Sequence, residues 1–195
     1  MAQRVVASGD DVEGGQGLTV LEERVERDAQ IRRTYADPES AHHEAVAAAE
    51  LDRSYADSAV VGGDANPALG PGARLPSTAP VAPASGTPRP LHELTRRPEH
   101  TLLVLGGPGA DAGEVGELTE TLAAMYARSP VVGAVVGLAA DPADPAIGRM
   151  DADVAAQLGI DDITVLAVRP DRYVGLRLDR ADAAGVAEYV GTLTA

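Results

Sequence analysis

Apolar positions gather in the second half of the chain. The run HTLLVLGG from His100 to Gly107 has the length of a strand buried on both faces, and DAGEVGELTETLAAMYARS then places Val115, Leu118, Leu122 and Met125 at helical spacing. PVVGAVVGLAAD, rich in β-branched valine and bounded by Pro130 and Pro142, predicts a second buried strand. DADVAAQLGI predicts a short helix that Asp151 could cap. DITVLAV and YVGLRLD alternate as strands do and are joined by RPDR, a hairpin turn, before DAAGVAEYVGTL closes the chain as an amphipathic helix. The predicted order is β-α-β-α-β-β-α, an α/β domain spanning 99–195.

The first half carries thinner signals. Residues 1–60 are polar and acidic, with two helical stretches separated by the breaker ADPES. Thr19 and Glu22 have the spacing of a capping box before a stripe of Leu21, Val25 and Ile31. A second stripe joins Val46, Ala49 and Leu51. Helices of this length are marginal without a surface to pack on, so the segment is expected to pack or to bind a partner. Residues 61–98 turn to Pro, Gly, Ala and Ser and hold 8 of the 14 prolines, as an extended connector would. LHELTRRPEH within it could form one short strand or turn.

Composition narrows the chemistry. The net charge of −14 opposes nucleic-acid partners, which are held by clustered cations. All 16 basic residues are arginine, so there is no Schiff-base lysine and no lysine of a phosphate loop. With no cysteine there is no disulfide, thiolate metal site or dithiol redox chemistry. MAQRVVASGDDVEGG lacks the apolar core of a signal peptide, and VVGAVVGLAA falls short of the roughly 20 residues of a membrane span, which leads to the expectation of a soluble, cytoplasmic protein without membrane contact.

The glycine-rich stretch TLLVLGGPGADAGEVGEL raises the possibility of a small dinucleotide-binding protein. Gly107, Gly109 and Gly113 give G-x-G-x-x-x-G between strand and helix, and Asp141 ends the second strand, but Asp111, Glu114 and Glu117 crowd the helix amino terminus where pyrophosphate would sit. Glycines permitting a tight strand-to-helix turn is the preferred reading.

The order of elements resembles the thioredoxin fold. Active members of that family carry Cys-x-x-Cys at the amino end of the helix after the first buried strand, and a cis-proline just before the third long strand. The first place is filled here by GGPGADAG and the second by Ile163 before Thr164, so the resemblance implies a scaffold without redox chemistry.

A second resemblance covers the chain from about Leu51 to its end. GPGARLPS and VRPDRYVGLR are similar to the connector and terminal hairpin of the carboxy-terminal thioredoxin-like domain of FAD-dependent aromatic-ring hydroxylases, the pentachlorophenol, phenylpropionate and polyketide hydroxylase group. Gly72, Arg74 and Pro76 match the connector; Arg169, Pro170, Asp171, Tyr173, Val174 and Arg177 match the hairpin, with Leu176 where tryptophan is frequent. LDRSYADSAVVGG is similar to the segment leading into that connector, and ASGDDVEGGQGL echoes the family's flavin-contacting Gly-Asp motif. The residues before Leu51 leave no room for the family's dinucleotide fingerprint, so FAD is expected only if a partner or missing domain supplies it.

The resemblance implies a free-standing, redox-inactive thioredoxin-like domain with a structural or partner-binding role, its partner a flavoprotein hydroxylase or a second copy. The alternative is a fragment or subunit of an FAD-dependent aromatic monooxygenase. No catalytic, cofactor-binding or metal residue is assigned. Strand alternation puts Tyr173, Gly175 and Arg177 on one accessible face, a docking surface or a plain solvated edge, and sends Val174, Leu176 and Leu178 toward a helix. His42 and His43 are adjacent on a helix and diverge, His92 and His100 read as surface residues, and Asp141 to Pro145 has too few ligands for calcium.

Overall fold

The computed structural model describes residues 21–48 and 54–194 apart from 78, 85, 141 and 143. The chain forms two compact units, Met1–Asp52 and Arg53–Ala195. In the first, α1 (Leu21–Ala36) and α2 (Pro38–Ala48) are separated at Asp37, whose carboxylate accepts the Glu39 N–H at 3.4 Å. Proline suits the opening position of α2, where its missing N–H has no helical partner to lose. Val25 and Ile31 of the thin stripe on α1 are 62% and 42% exposed. His42 and His43 are exposed on α2. Thr19 of the capping box, Ala49, Leu51 and the Gly-Asp echo lie outside the described residues.

The second unit runs β1 (Gly62–Gly63), β2 (Pro80–Val81), β3 (Arg89–Pro90), a 3-10 helix (Leu91–Thr95), β4 (His100–Gly106), α3 (Ala112–Tyr126), β5 (Val132–Ala139), β6 (Gly148–Arg149), α4 (Ala152–Gln157), β7 (Ile163–Val168), β8 (Val174–Asp179) and α5 (Ala183–Thr192). Six strands form one sheet in the order β1-β8-β7-β4-β5-β6. β4 and β5 are parallel, as a helical crossover requires, whereas β7 is antiparallel to both β4 and β8. A central strand, β4, paired on one side with the parallel β5 and on the other with the antiparallel β7–β8 hairpin, with helices on both faces, is the thioredoxin-like arrangement. LHELT forms a 3-10 turn rather than a strand, with Leu91 and Leu94 buried.

Both faces of the sheet are covered, which is why β4 shows an unbroken apolar run from Leu102 to Leu105. Leu102 and Val104 meet Val115 and Leu122 of α3 and Val186 and Val190 of α5. Leu103 and Leu105 face the other way, onto Val154 and Leu158 around α4. Met125, although in phase with the buried positions of α3, is 50% exposed near the helix end. The Pro- and Gly-rich stretch 61–98 belongs to this unit and lays Leu69, Leu75, Ala79 and Val81 into the second layer.

Asp111 caps α3, its carboxylate accepting the N–H groups of Gly113 (2.7 Å) and Glu114 (3.2 Å). Asp151 stands at the N-cap of α4 but makes no side-chain cap; its carboxylate instead meets Arg149 Nε at 3.2 Å. Asp141, expected at the end of β5, lies outside the described residues.

Candidate functional site

At the carboxyl end of β4 the glycine loop packs main chain against main chain. Gly107 N–H donates to the Asp162 carbonyl (3.1 Å) and Gly109 N–H to that of Asp161 (2.8 Å). A Cβ on Gly107 would stand 2.5 Å from the Ile160 oxygen, so this turn admits only glycine. The two segments that stand where active thioredoxin-like proteins carry the halves of a redox site are thus tied to each other. Gly107, Gly109, Gly113 and Glu114 all spend their amides inside the protein. These are the amides a pyrophosphate would need, and with Asp111 and Glu114 beside them the described residues do not fit FAD or another dinucleotide here.

The opposite end of the sheet holds the hairpin residues. Arg169 to Arg172 form the β7–β8 turn, with Arg172 at φ 70° and Arg169 N–H bonded to the Tyr173 carbonyl. Arg169 grips Asp171 through Nε (3.2 Å) and Nη2 (2.6 Å). Beyond the turn, β8 does not keep strict alternation. Val168 pairs with Val174 but Ala167 pairs with Leu176, leaving Gly175 as the extra residue of a bulge. A Cβ on Gly175 would fall 2.1 Å from the Tyr189 hydroxyl, so glycine there lets the α5 phenol lie over the strand.

The bulge overturns the expected accessible face. Val174 packs in the layer with α4, while Leu176 packs in the layer with α3 and α5. Tyr173 is 6% exposed and Arg177 is wholly buried, so neither belongs to a solvated edge or to a docking surface. Arg177 Nη1 donates to the carbonyls of Leu69 and Leu158, each at 3.0 Å, and Nη2 donates to Gly159. Its Nε meets Asp179 at 3.0 Å, and that carboxylate also accepts the Thr164 hydroxyl at 2.9 Å. One planar fork thereby caps the carboxyl end of α4 and anchors the connector at Leu69.

The connector motif meets the hairpin motif directly. Residues 54–76 act as a strap along β8: Gly72 N–H donates to Val174 (2.7 Å), Leu75 N–H to Arg172 (2.8 Å), and Arg74 forms an antiparallel bridge with Tyr173. Gly72 has φ 80°, and a Cβ there would be 2.2 Å from Ala56 N. Tyr55 makes an edge contact with Tyr173 at 4.7 Å, while Arg169 lies 5.4 Å above the Tyr55 ring. β1 then extends the sheet along Leu176 and Arg177, and Asp64 accepts the Asp179 N–H at 2.8 Å. Two stretches about 100 residues apart in sequence are one interlocking structure.

Beside this lock is an open groove of about 360 Å³, walled by Val60 of the strap, His100 of β4, the Arg169–Asp171 turn and Tyr189 with Leu193 around the end of α5. His100 is half-buried, against the expectation of a surface residue, and stands edge-on to Tyr189 at 6.4 Å. Burial lowers its pKa from the ordinary 6.5, opposed by a hydrogen bond to the Val131 backbone and reinforced by Arg169. Burial also raises the pKa of the Tyr189 phenol. His92 is elsewhere, its ring 3.1 Å from the Ser77 carbonyl. Among the described residues no cluster of His, Asp or Glu could hold a metal ion, and no helix is long and apolar enough to cross a membrane.

No protein-family model matches the chain, and no curated protein does. Among solved structures it is similar to the flavin-dependent monooxygenase PieE, crystallised with FAD and substrate, at 22% identity over 62% of this chain and 19% of PieE, TM-score 0.41. It is also similar to a thiol-disulfide oxidoreductase from Bacteroides fragilis, at 14% identity over 58% of this chain and 95% of that one, TM-score 0.43. A third is the peroxidoxin BcpB of Mycobacterium tuberculosis, at 20% identity over 59% and 90% of the two chains, TM-score 0.43. At such identities the likeness concerns the fold alone.

Proposed function

We propose that this chain is a redox-inactive thioredoxin-like domain, related to the carboxy-terminal domain of FAD-dependent aromatic-ring hydroxylases, that works by holding its own shape and binding a partner protein. The observation that carries the reading is the meeting of the two motifs behind that resemblance: the Gly72–Arg74 connector and the Arg169–Arg177 hairpin form one lock. The glycine loop supports the redox-inactive part of the reading, since it has no sulfur and bonds its amides internally. Hydroxylase chemistry would come from a flavoprotein partner, because flavin supplies the electron transfer and oxygen activation.

Three measurements on the purified full chain test the reading. The protein should show no visible flavin absorbance after incubation with FAD and desalting, and no insulin reduction above a dithiothreitol background. It should co-elute in size-exclusion chromatography with an aromatic hydroxylase stripped of its own carboxy-terminal domain. A stoichiometric yellow complex with FAD alone would overturn the non-catalytic assignment, and separate elution from the truncated hydroxylase would overturn the flavoprotein partner.

A further inference from the structure

The groove at the hairpin end lies at the opposite end of β4 from the glycine loop, about 20 Å away along a seven-residue strand. It is therefore separate from the place where thioredoxin-like redox chemistry would sit. Its volume is at the small end of the range for ligand pockets, roughly 300–1,000 Å³, and suits one ring system better than an extended ligand. Its lining consists of two rings set edge to face, His100 and Tyr189, a guanidinium plane, and the aliphatic surfaces of Val60, Pro170 and Leu193. Arg169 is paired to Asp171, so the groove carries a planar group for stacking with little net charge of its own. Those surfaces match the face and edges of an aromatic side chain.

We infer that the groove seats one aromatic side chain, carried by a basic segment of a partner protein. Among the residues whose exposure is described, no Phe, Tyr or Trp is exposed to supply such an anchor from a second copy. The chain has no Phe or Trp, and among the tyrosines whose exposure is described Tyr173 and Tyr189 are buried while Tyr55 and Tyr126 are half-buried. The basic character of the partner segment follows from the charge of the unit that holds the groove, 11 Arg against 18 Asp and Glu over residues 53–195, a net −7 that attracts cationic surfaces and repels acidic ones. Asp57 and Glu188, both exposed, stand near Val60 and next to Tyr189 in sequence. The inference rests on the partner-binding reading above and specifies where and by what chemistry the partner is held.

Because the chain contains no tryptophan, a short peptide with a single Trp between Lys and Arg residues can be followed by its own fluorescence in the presence of the full-length protein. Saturable binding with a blue shift is expected. In competition against that Trp peptide, the version with Ala in place of Trp should bind about tenfold or more weakly, as removal of an interface anchor does, and a Glu-flanked Trp peptide should bind more weakly than the basic one. Val60 is 45% exposed, so Val60→Arg should leave the thermal transition in place while costing about tenfold in affinity by filling the mouth and repelling the basic flank. Binding that ignores either the Ala replacement or Val60→Arg would overturn the groove as the seat. If the truncated hydroxylase co-elutes equally with wild type and Val60→Arg, the groove assignment falls and the partner reading stands. If the peptide binds as expected while the hydroxylase never co-elutes, the groove stands and the flavoprotein partner falls.

Discussion

Replacing Arg177 by Met should weaken the unit by about 3 kcal/mol, a large part of the 5–15 kcal/mol that a domain of this size commands. Met fills most of the volume of the arginine stem, so the loss is one of polar partners. The guanidinium serves the carbonyls of Leu69, Leu158 and Gly159, and of these Gly159 keeps a second donor in Asn66 Nδ2 at 3.2 Å. Two acceptors are therefore stripped at about 1–3 kcal/mol each. The ion pair adds little, because Asp179 is 38% exposed on its side chain and stays hydrated when Arg177 is gone. Swapping a buried ion pair for apolar groups can be neutral, but only where both partners are replaced, and main-chain carbonyls cannot be. Urea unfolding followed by circular dichroism should shift its midpoint down by about 1–3 M. Hydrogen exchange should quicken at the amides of Tyr55, Gly72 and Leu75, which the strap bonds internally or to the hairpin, before it quickens in β4. Arg177→Lys should fall between, since one ammonium cannot span three carbonyls. A loss under about 1 kcal/mol with unchanged strap protection would refute the lock.

Gly72→Ala should cost more than the roughly 1–3 kcal/mol of left-handed strain alone, because the new Cβ also strikes the Ala56 backbone; the urea midpoint measures it. Asp111→Ala should remove about 1 kcal/mol by uncapping α3, read in the same assay. Stability should fall as pH drops below the ordinary histidine value of 6.5 toward the lower folded value of His100, since the unfolded chain then binds the proton more readily; His100→Gln should remove that part of the slope in melts taken across the acid range. At the alkaline end the sign follows Tyr189 and Tyr126, whose phenols are held above 10.0 by burial, so stability should fall as pH rises past 10.0, and Tyr189→Phe should flatten the profile.

The sequence-level pattern was legible wherever burial is two-sided or a turn is local. β4, β5 and β7 read correctly because continuous Val and Leu runs have only one use in a sheet covered on both faces. RPDR announced its hairpin through turn chemistry that acts within four residues. The faces of β8 could not be read, because one extra residue at Gly175 shifts the side-chain phase and nothing local marks a glycine as a bulge rather than a small packing residue. Arg177 was misread for a different reason: it keeps its alternation with Leu176 and Leu178, but the face it points to is covered by the strap and the end of α4, against the expectation that arginine stays outside. Its burial depends on carbonyls from Leu69 and Leu158, a long-range coincidence invisible to any window of sequence. His100 was missed as a groove residue because its partners, Arg169 and Tyr189, come from a turn and a helix far along the chain.

The buried fork also changes where a partner can act. A strand edge with free N–H and C=O groups invites another strand, and β8 would be such an edge if the strap were a loose linker. Instead β1 pairs along Leu176 and Arg177, while Gly72 and Leu75 bond to Val174 and Arg172, so the side of β8 away from β7 is occupied by the chain itself. Strand addition there would require breaking the Arg177 contacts first, at the several kcal/mol worked out above. What the same lock leaves open is the turn: Tyr173 and Arg177 are consumed within the protein, whereas Pro170 and Asp171, with Arg169 held flat by Tyr55 and Asp171, still border an accessible groove. The motif therefore divides into residues that fix the strap and residues that the fixed strap presents. Val60 is held at the groove by the pinning of the chain on either side of it, at Tyr55 by the hairpin and at Gly62 by β8, and by the Tyr189 hydroxyl, which donates to its carbonyl at 3.4 Å. Arg177→Met should consequently disturb the groove without touching it, and Val60→Arg should disturb the groove without loosening the strap. That asymmetry separates the scaffold from the surface it holds.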